Sequence, residues 1–171
     1  MRCCFAGHSN CDCGSEICKK LTSTIEKLIT EENITEFYVG NYGDFDRTSA
    51  SVLTKIKQTY PHIKIFLVIP YLTKSAEEKA DRFDDLTIFE IPQSTPRKLK
   101  IIKTNEAMIN HCDILVCYIN RTWGGAIKTF QYAKRKNKTI INLADKSALQ
   151  LNSPKACEAH LADRKVNLAT Q

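Results

Sequence analysis

Long apolar runs are missing from this chain. No stretch in its 171 residues approaches the roughly 18 apolar residues that a membrane-spanning helix needs. Residues 1–5 also lack the apolar segment that follows the charged start of a signal peptide. The composition, 43% apolar and 26% charged, is typical of a folded globular domain. We therefore expect a cytoplasmic protein that does not contact a membrane.

Several motifs of common enzymes are also absent. The chain has no G-x-S-x-G nucleophile elbow, no H-E-x-x-H zinc motif and no P-loop lysine pattern. It also lacks the G-x-G-x-x-G fingerprint with which many proteins bind dinucleotides. The absences argue against the common hydrolases and against an NAD-linked dehydrogenase, and we expect no cofactor.

Cysteine, by contrast, is abundant near the N-terminus, where five of the eight lie within the first eighteen residues. Without an export signal we expect them to be reduced thiols. Cys11, Cys13 and Cys18, together with His8, suggest a metal site as an alternative. Structural zinc sites usually pair two C-x₂₋₄-C elements, and this spacing is C-x-C. We therefore expect no metal.

The charge is positive, with a formal net value of +6. Basic residues cluster at 97–100 and at 134–138, and a basic surface is one mark of a nucleic-acid-binding protein. Neither cluster contains aromatic residues, and the second closes a predicted helix, where cations suit the negative end of the helix dipole. From these clusters we do not expect a nucleic acid partner.

Apolar runs and helical periodicities alternate along the chain. The pattern predicts strands over residues 2–6, 36–39, 63–69, 86–91, 113–119 and 139–143. It predicts helices over 15–32, from Asp46 to before Pro61, over 98–111, and after Gly125. Such alternation is typical of an α/β fold, here a Rossmann-like three-layer sandwich with a mainly parallel sheet. We assign this domain to residues 1–144 and leave the tail, 145–171, unassigned apart from one helical turn near 156–162.

Glycine-rich loops follow several of the predicted strands. In such sheets a ligand lies outside the carboxyl ends of the strands, where the strand order reverses. Residues 123–126, Trp-Gly-Gly-Ala, join a buried strand directly to a helix. Glycine lets backbone N–H groups approach a ligand, and a helix N-terminus attracts phosphate. The loops therefore predict a pocket for a nucleotide-like ligand.

Side chains near these loops supply the polar and aromatic contacts. Asp44 and Asp46 would accept hydrogen bonds from ribose hydroxyls, and Asp46 is equally well explained as a helix N-cap. The aromatic residues that could stack on a base, or simply fill the core, are Tyr42, Phe45, Tyr71, Tyr118 and Trp123. The predicted ligand-binding residues are Gly7, His8, Gly40, Asn41, Gly43, Asp44, Asp46, Tyr71, Asn105, Trp123, Gly124, Gly125 and Ala126.

Short blocks at residues 4–8, 37–47, 60–63, 105–108, 113 and 123–126 resemble, in this order, the SLOG superfamily. This Rossmann-like group includes cytokinin-activating phosphoribohydrolases, a DNA-processing protein and sensor domains of antiphage defence. Within this superfamily the chain resembles uncharacterised SLOG proteins of Gram-positive bacteria and their mobile elements. The resemblance implies a nucleotide or ADP-ribose-like ligand over the Gly-Gly loop, a homo-oligomer, and a role in antiphage defence or counter-defence.

The phosphoribohydrolases of this superfamily carry a P-G-G-x-G-T-x-x-E signature with a catalytic glutamate. Here residues 123–131 read W-G-G-A-I-K-T-F-Q, so Gln131 stands where that glutamate would be. An amide does not titrate in the useful range. We therefore predict a non-catalytic protein that senses or sequesters a nucleotide-derived small molecule, such as an ADP-ribose-like or cyclic nucleotide signal. The alternatives are a hydrolase that uses Asp44, Asp46 or Glu106 instead, and a nucleic-acid binder of the DNA-processing kind.

Overall fold

The computed structural model describes residues 1–74 and 80–144. Within them a parallel sheet of six strands is flanked by four helices. The strands are β1 (Arg2–Gly7), β2 (Glu36–Val39), β3 (Lys64–Val68), β4 (Asp85–Thr87), β5 (Ile114–Tyr118) and β6 (Thr139–Asn142). The helices are α1 (Ser15–Thr30), α2 (Asp44–Thr59), α3 (Arg97–His111) and α4 (Gly125–Arg135).

The strand order of the sheet is β4-β3-β2-β1-β5-β6, and every neighbouring pair is parallel. From β1 the chain first builds the sheet outward through β2, β3 and β4. It then returns to the other side of β1 with β5 and β6. The order therefore reverses between β1 and β5, which is the place where α/β sheets of this kind hold their ligands.

Alternate residues of the central strand β1 pack on opposite faces of the sheet. Cys3 and Phe5 belong to one apolar cluster, which also takes in the buried faces of α1 and α2. Cys4 and Ala6 belong to a second cluster, which includes Met108 of α3 and residues of α4. Because both faces of the sheet are covered, the central strands β1, β2, β3 and β5 are apolar over most of their length. The predicted three-layer α/β sandwich is confirmed.

The predicted element boundaries agree with the structure to within two residues except at the end of β4, and two of the differences have a structural explanation. Helix α2 begins at Asp44 after Gly43, so Asp46 is its third residue and not the N-cap. From there the Asp46 carboxylate accepts the backbone N–H of Tyr42, at 3.0 Å, in the manner of a capping box. The fourth strand ends at Thr87, short of residue 91, because Thr87 pairs with the last residue of β3, Val68.

The structure also differs from the expectation that all the N-terminal cysteines are reduced thiols. Cys11 and Cys13 form a disulfide in the loop between β1 and α1, and their Cα atoms lie 5.5 Å apart, within the usual range for such a bond. The free cysteines among the described residues are Cys3, Cys4, Cys18, Cys112 and Cys117. Four of these five are buried and pack as small apolar side chains.

No helix within the described ranges is long and apolar enough to cross a membrane. The cytoplasmic location and the homo-oligomer stay predictions. The unassigned tail, 145–171, lies outside the described residues, and so does the helical turn predicted near 156–162.

Candidate functional site

A cavity of about 330 Å³ opens at the carboxyl edge of the sheet. Its walls come from the residues that follow β1, β2, β3 and β5 and from one side of α3. It therefore lies at the reversal of strand order between β1 and β5. Its volume is at the lower end of the range of small-molecule pockets, which is enough for one nucleotide unit.

Ten of the thirteen predicted ligand-binding residues line this cavity. They come from four separate segments of the chain, which the parallel strands bring to one edge. The ten residues are Gly7, His8, Gly40, Gly43, Asp46, Asn105, Trp123, Gly124, Gly125 and Ala126. Their position is thus known, and their role in binding stays a prediction.

Three predicted residues do not line the cavity. Asn41 lines an adjoining groove on the outer side of α2. The Asp44 carboxylate turns to the β1–α1 loop, where it accepts the backbone N–H of Cys11 at 3.2 Å and pairs with Arg47. Tyr71 lies beneath the Arg97 guanidinium, 5.1 Å from the ring centroid. Asp44 thus holds a loop in place, and Tyr71 belongs to the surface beside the cavity.

Helix α4 begins at the cavity wall without a side-chain cap. Its N-cap residue, Gly124, has φ +96°, a conformation that favours glycine, and no side-chain cap is present among the described residues. A Cβ placed on Gly125 would meet no atom within 4 Å, so the space in front of this helix end is open. The first N–H groups of a helix have no partner within the helix. This end of α4 therefore offers backbone donors and partial positive charge to the cavity.

Asp46 is the one carboxylate among the described residues that line the cavity. Its burial raises the pKa from 3.8 to about 6, although the backbone N–H groups of Tyr42 and Gly43 and the charge of Arg47 lower it. A Cβ on Gly40 would lie 2.8 Å from an Asp46 carboxylate oxygen. Glycine at position 40 therefore allows the carboxyl group to lie against the backbone at the end of β2.

Two buried polar groups of residues that line the cavity have no hydrogen-bond partner among the described residues. They are Nε2 of His8, which follows β1, and Oγ1 of Thr104, on α3. The residues are only 5% and 3% exposed. Burial, together with the nearby Arg121 guanidinium, lowers the pKa of His8, so the ring is neutral at pH 7. Buried polar groups in folded proteins are nearly always paired, so these two groups are exceptions within the described residues.

Aromatic rings and cations surround the cavity mouth. Tyr42 and Trp123 line the cavity and are 42% and 53% exposed, which is unusual for large apolar side chains. Burial and the neighbouring Tyr71 raise the pKa of Tyr42 to about 12. Arg121 also lines the cavity and donates to the backbone carbonyl of Asn10. The rim thus combines flat ring surfaces with positive charge.

Sequence reasoning missed Thr104 and Arg121 as lining residues. Arg121 lies two residues before Trp123 in the same strand-to-helix loop, so its distance to the Gly-Gly pair was a usable signal. Thr104 belongs to no motif and reaches the cavity only because α3 packs over this edge of the sheet. Phe45, one of the stacking candidates, is fully buried in the core against Tyr118, with ring centroids 6.2 Å apart.

The residues considered for hydrolysis lie in three places, one of which is the contact of Asp44 with the β1–α1 loop. Glu106 and Gln131 line a second groove between α3 and α4, outside the cavity, and Glu106 pairs with Lys103 at 2.8 Å. Of the carboxylates proposed to replace the catalytic glutamate, only Asp46 is in the cavity. That the protein is not an enzyme stays a prediction.

Comparison with known proteins gives no match to any family model. One curated relative is the uncharacterized SPbeta prophage-derived protein YoqJ of Bacillus subtilis strain 168. The two chains are 27% identical over 135 residues, which covers 68% of this chain and 79% of YoqJ. This similarity extends over most of both chains and assigns no function.

Two solved structures of DNA processing protein A (DprA) share the fold. The protein from Streptococcus pneumoniae superposes with a TM-score of 0.62 at 14% identity, over 95% of this chain and 56% of that one. The protein from Helicobacter pylori superposes with a TM-score of 0.61 at 11% identity, over 85% of this chain and 66% of that one. This chain therefore spans between half and two thirds of the length of either protein.

The Helicobacter pylori protein binds single-stranded DNA. Our expectation that a nucleic acid is not a partner is therefore wrong as a deduction from the basic clusters. The basic clusters at 97–100 and 134–138 contain no aromatic residues, but residues that are neighbours in the sequence are only one way to combine the two kinds of side chain. In the folded molecule such residues meet at the cavity mouth from separate loops, as Tyr42, Arg121 and Trp123 do. The chain has the Rossmann-like fold of DNA processing protein A.

Proposed function

We propose that this chain binds single-stranded DNA and holds one nucleotide unit of the strand in the cavity. The observation that carries the proposal is the combination, around one cavity, of an uncapped helix N-terminus and two exposed aromatic rings. The shared fold with a protein that binds single-stranded DNA supports it.

The start of α4 would receive the phosphate. The unpaired N–H groups after Gly124 and the positive end of the helix dipole favour an anion there. The absence of side-chain atoms at Gly125 lets a phosphate approach the backbone closely. Arg121, on the same loop, adds a full positive charge.

Tyr42 and Trp123 would receive the base. Stacking on aromatic rings is the usual way in which proteins bind single strands, because every base has a flat face. The faces of bases in a duplex are covered by their neighbours. A site built in this way is therefore expected to prefer a single strand to a duplex.

Fluorescence anisotropy with a labelled oligodeoxynucleotide of about 20 nucleotides tests the proposal, since single-strand sites usually span fewer nucleotides than this. We expect binding that weakens as salt rises, because phosphate contacts release counterions, and weaker binding to a hairpin duplex of the same sequence. Equal affinity for the two forms would contradict the stacking part of the proposal. No binding at low salt would refute the whole.

A substitution at Gly125 separates charge from shape. Gly125→Asp places a carboxylate where the phosphate would lie, and we expect affinity to fall about tenfold or more. Gly125→Asn has nearly the same shape without the charge and is the matched control. Gly124 is less suitable, because its φ of +96° strains any other side chain. If the Asp and Asn variants bind equally, the phosphate does not lie at α4.

A second candidate is a nucleotide-derived small molecule that is bound without being part of a strand. The observation that favours it is the size of the cavity, about 330 Å³ with buried polar groups in its wall, which suits one nucleotide. Thermal shift with ADP-ribose and cyclic dinucleotides separates the two functions. A shift with these compounds, and no binding of the oligonucleotide, would favour the small molecule.

A further inference from the structure

The disulfide between Cys11 and Cys13 lies in the loop that leads from β1 to α1, and the proposed function does not use it. Its ring encloses a single residue, Asp12. The stabilisation that a disulfide gives by restricting the unfolded chain grows with the number of residues it encloses, so a bond of this kind contributes little to the fold. Both cysteines are partly exposed, so a thiol in solution can reach the bond.

The disulfide adjoins the contacts that hold the rim of the cavity. The carbonyl of Asn10, one residue before it, accepts the guanidinium of Arg121, which lines the cavity. The N–H of Cys11 donates to the Asp44 carboxylate at 3.2 Å, and the Asp44 N–H donates to the carbonyl of Ser9 at 2.9 Å. The position of the Arg121 guanidinium therefore depends on a carbonyl next to the disulfide.

The turn that the disulfide closes has little other support of its own. The N–H of Cys13 donates to the carbonyl of Cys11 at 3.0 Å, which is the hydrogen bond of a three-residue turn. A single hydrogen bond in a partly exposed loop adds little net stability. When the disulfide opens, the residues of the turn regain backbone freedom, and the Asn10 carbonyl beside them is no longer held in one place.

We propose that the Cys11–Cys13 disulfide is a redox-active site whose reduction releases Arg121 from its place at the cavity mouth, so that the redox state sets the affinity for a single strand. The binding part of this inference rests on the proposed function. The reactant is a dithiol, either a small molecule or a protein. An accessible disulfide that contributes little to the fold is of the kind that serves regulation.

The reaction is a thiol–disulfide exchange in two steps. A thiolate of the dithiol attacks one sulfur of the Cys11–Cys13 bond, which breaks as a mixed disulfide forms, and the other cysteine leaves as a thiolate and takes up a proton. The second thiolate of the dithiol then attacks the mixed disulfide and releases the remaining cysteine, which is also protonated. The two cysteines gain two electrons and two protons, and the dithiol loses them and becomes a disulfide. The reverse reaction closes the bond again.

The first experiment measures the redox state of the folded full-length chain. The protein is equilibrated with mixtures of reduced and oxidised dithiothreitol, its accessible thiols are blocked with a maleimide, and the labelled residues are identified by mass spectrometry. We expect Cys11 and Cys13 to change together, unlabelled in oxidising and labelled in reducing mixtures. Cys18, which is partly exposed in the groove between α1 and α2, should be labelled in both and is the internal reference. If the pair is labelled in every mixture, or in none, the inference is wrong.

The second experiment measures the affinity of both forms for a labelled oligodeoxynucleotide by fluorescence anisotropy. The reduced form should bind about threefold to tenfold more weakly. The slope of log K against log salt should also become shallower by about 0.7, which corresponds to the loss of one phosphate contact on a single strand. A change in the fold alone would not move the slope by the value of one contact.

Four variants locate the effect. Replacing Cys11 and Cys13 together by serine should give the weak affinity in every mixture. Cys18→Ser is the matched control, because its Sγ lies 3.7 Å from the Cys13 carbonyl oxygen but outside the disulfide, and it should keep the full response. Arg121→Gln should bind as weakly as the reduced wild type and should not respond to reduction, because the two changes remove the same contact. Arg121→Lys keeps the charge and should recover part of the affinity. Thermal unfolding verifies that each variant is folded.

The outcomes separate this inference from the proposed function. If the thiols exchange but affinity and slope are the same in both forms, the inference is wrong and strand binding stands. If Arg121→Gln still loses affinity on reduction, or if Cys18→Ser abolishes the response, the effect does not pass from the Cys11–Cys13 bond to Arg121, which also overturns the inference. If neither form binds the strand at low salt, the proposed function is wrong and the control of affinity fails with it.

Discussion

Replacement of Asp46 by asparagine is expected to stabilise the fold at neutral and alkaline pH. The Asp46 side chain is partly buried in the cavity wall, and desolvation raises its pKa from 3.8 to about 6. The raised pKa means that folding disfavours the ionised form. Asparagine keeps the size of the side chain and an oxygen that can accept the N–H of Tyr42, and it has no charge to bury.

The magnitude follows from the pKa difference. About two units between the unfolded and folded states correspond to about 3 kcal/mol of lost stability once both states are ionised. The favourable effects of the Tyr42 and Gly43 N–H groups and of Arg47 are already contained in this difference. A carboxylate in the first turn of a helix gains only about 0.3–1 kcal/mol from the dipole, so burial outweighs it.

The sign of the pH dependence is equally definite. Below pH 3.8 the carboxyl group is protonated in both states and costs nothing. Between pH 3.8 and about 6 the unfolded chain ionises while the folded chain keeps its proton, so stability falls. Above that window the loss is constant. The Asp46→Asn variant should therefore gain about 3 kcal/mol at pH 8 and about 0.5 kcal/mol at pH 4.

Urea unfolding of wild type and variant at these two pH values measures the effect, with the slope of the transition compared between them. Asp44→Asn is the control on the same helical turn. The Asp44 carboxylate is partly exposed and binds the Cys11 N–H and Arg47, so its replacement is expected to give no gain. If Asp46→Asn is less stable than wild type at pH 8, the carboxylate stabilises the folded state and the reasoning from burial is refuted.

Two further predictions concern packing and the rim. Gly7→Ala should destabilise the fold by about 1–3 kcal/mol in urea unfolding, because its Cβ would lie 2.4 Å from the Phe45 side chain. A compensating Phe45→Leu change should recover part of this loss. Full stability of Gly7→Ala would contradict the close packing. Trp123→Ala should weaken single-strand binding about tenfold, as measured by fluorescence anisotropy. It should not lower the melting temperature, because the ring is half exposed, and Trp123→Phe should keep most of the affinity. Unchanged binding in Trp123→Ala would exclude stacking on this ring.

Much of the fold was predictable because the buried strands and amphipathic helices of a parallel α/β sheet have recognisable hydrophobic patterns in the local sequence. The run over residues 63–69 is apolar except for Lys64 because β3 is covered on both faces, and the buried residues of α1 recur at helical spacing. Boundaries were less predictable. The fourth strand ends with its partner β3 and not with its own apolar pattern, which a single segment cannot reveal.

The candidate site was predictable to the extent that it is built from backbone. Residues that follow parallel strands must meet at one edge, so the glycine loops after β1, β2 and β5 could be assigned to one pocket from the order of elements alone. The directions of the side chains could not be predicted from the order of elements. Asp44 and Asp46 are two residues apart on one helical turn, and only packing decides that Asp46 enters the cavity while Asp44 binds the neighbouring loop.

The sequence by itself thus determined the α/β layers, the parallel sheet and the edge at which a ligand would bind, because these follow from local periodicity and from the connectivity of strands. Only the tertiary structure decided what the cavity presents to a ligand. Thr104 of α3 and Arg121 of the loop after β5 join His8 there through contacts between distant segments. Burial then leaves two polar groups unpartnered and raises the pKa of Asp46, and burial is a property of the assembled fold.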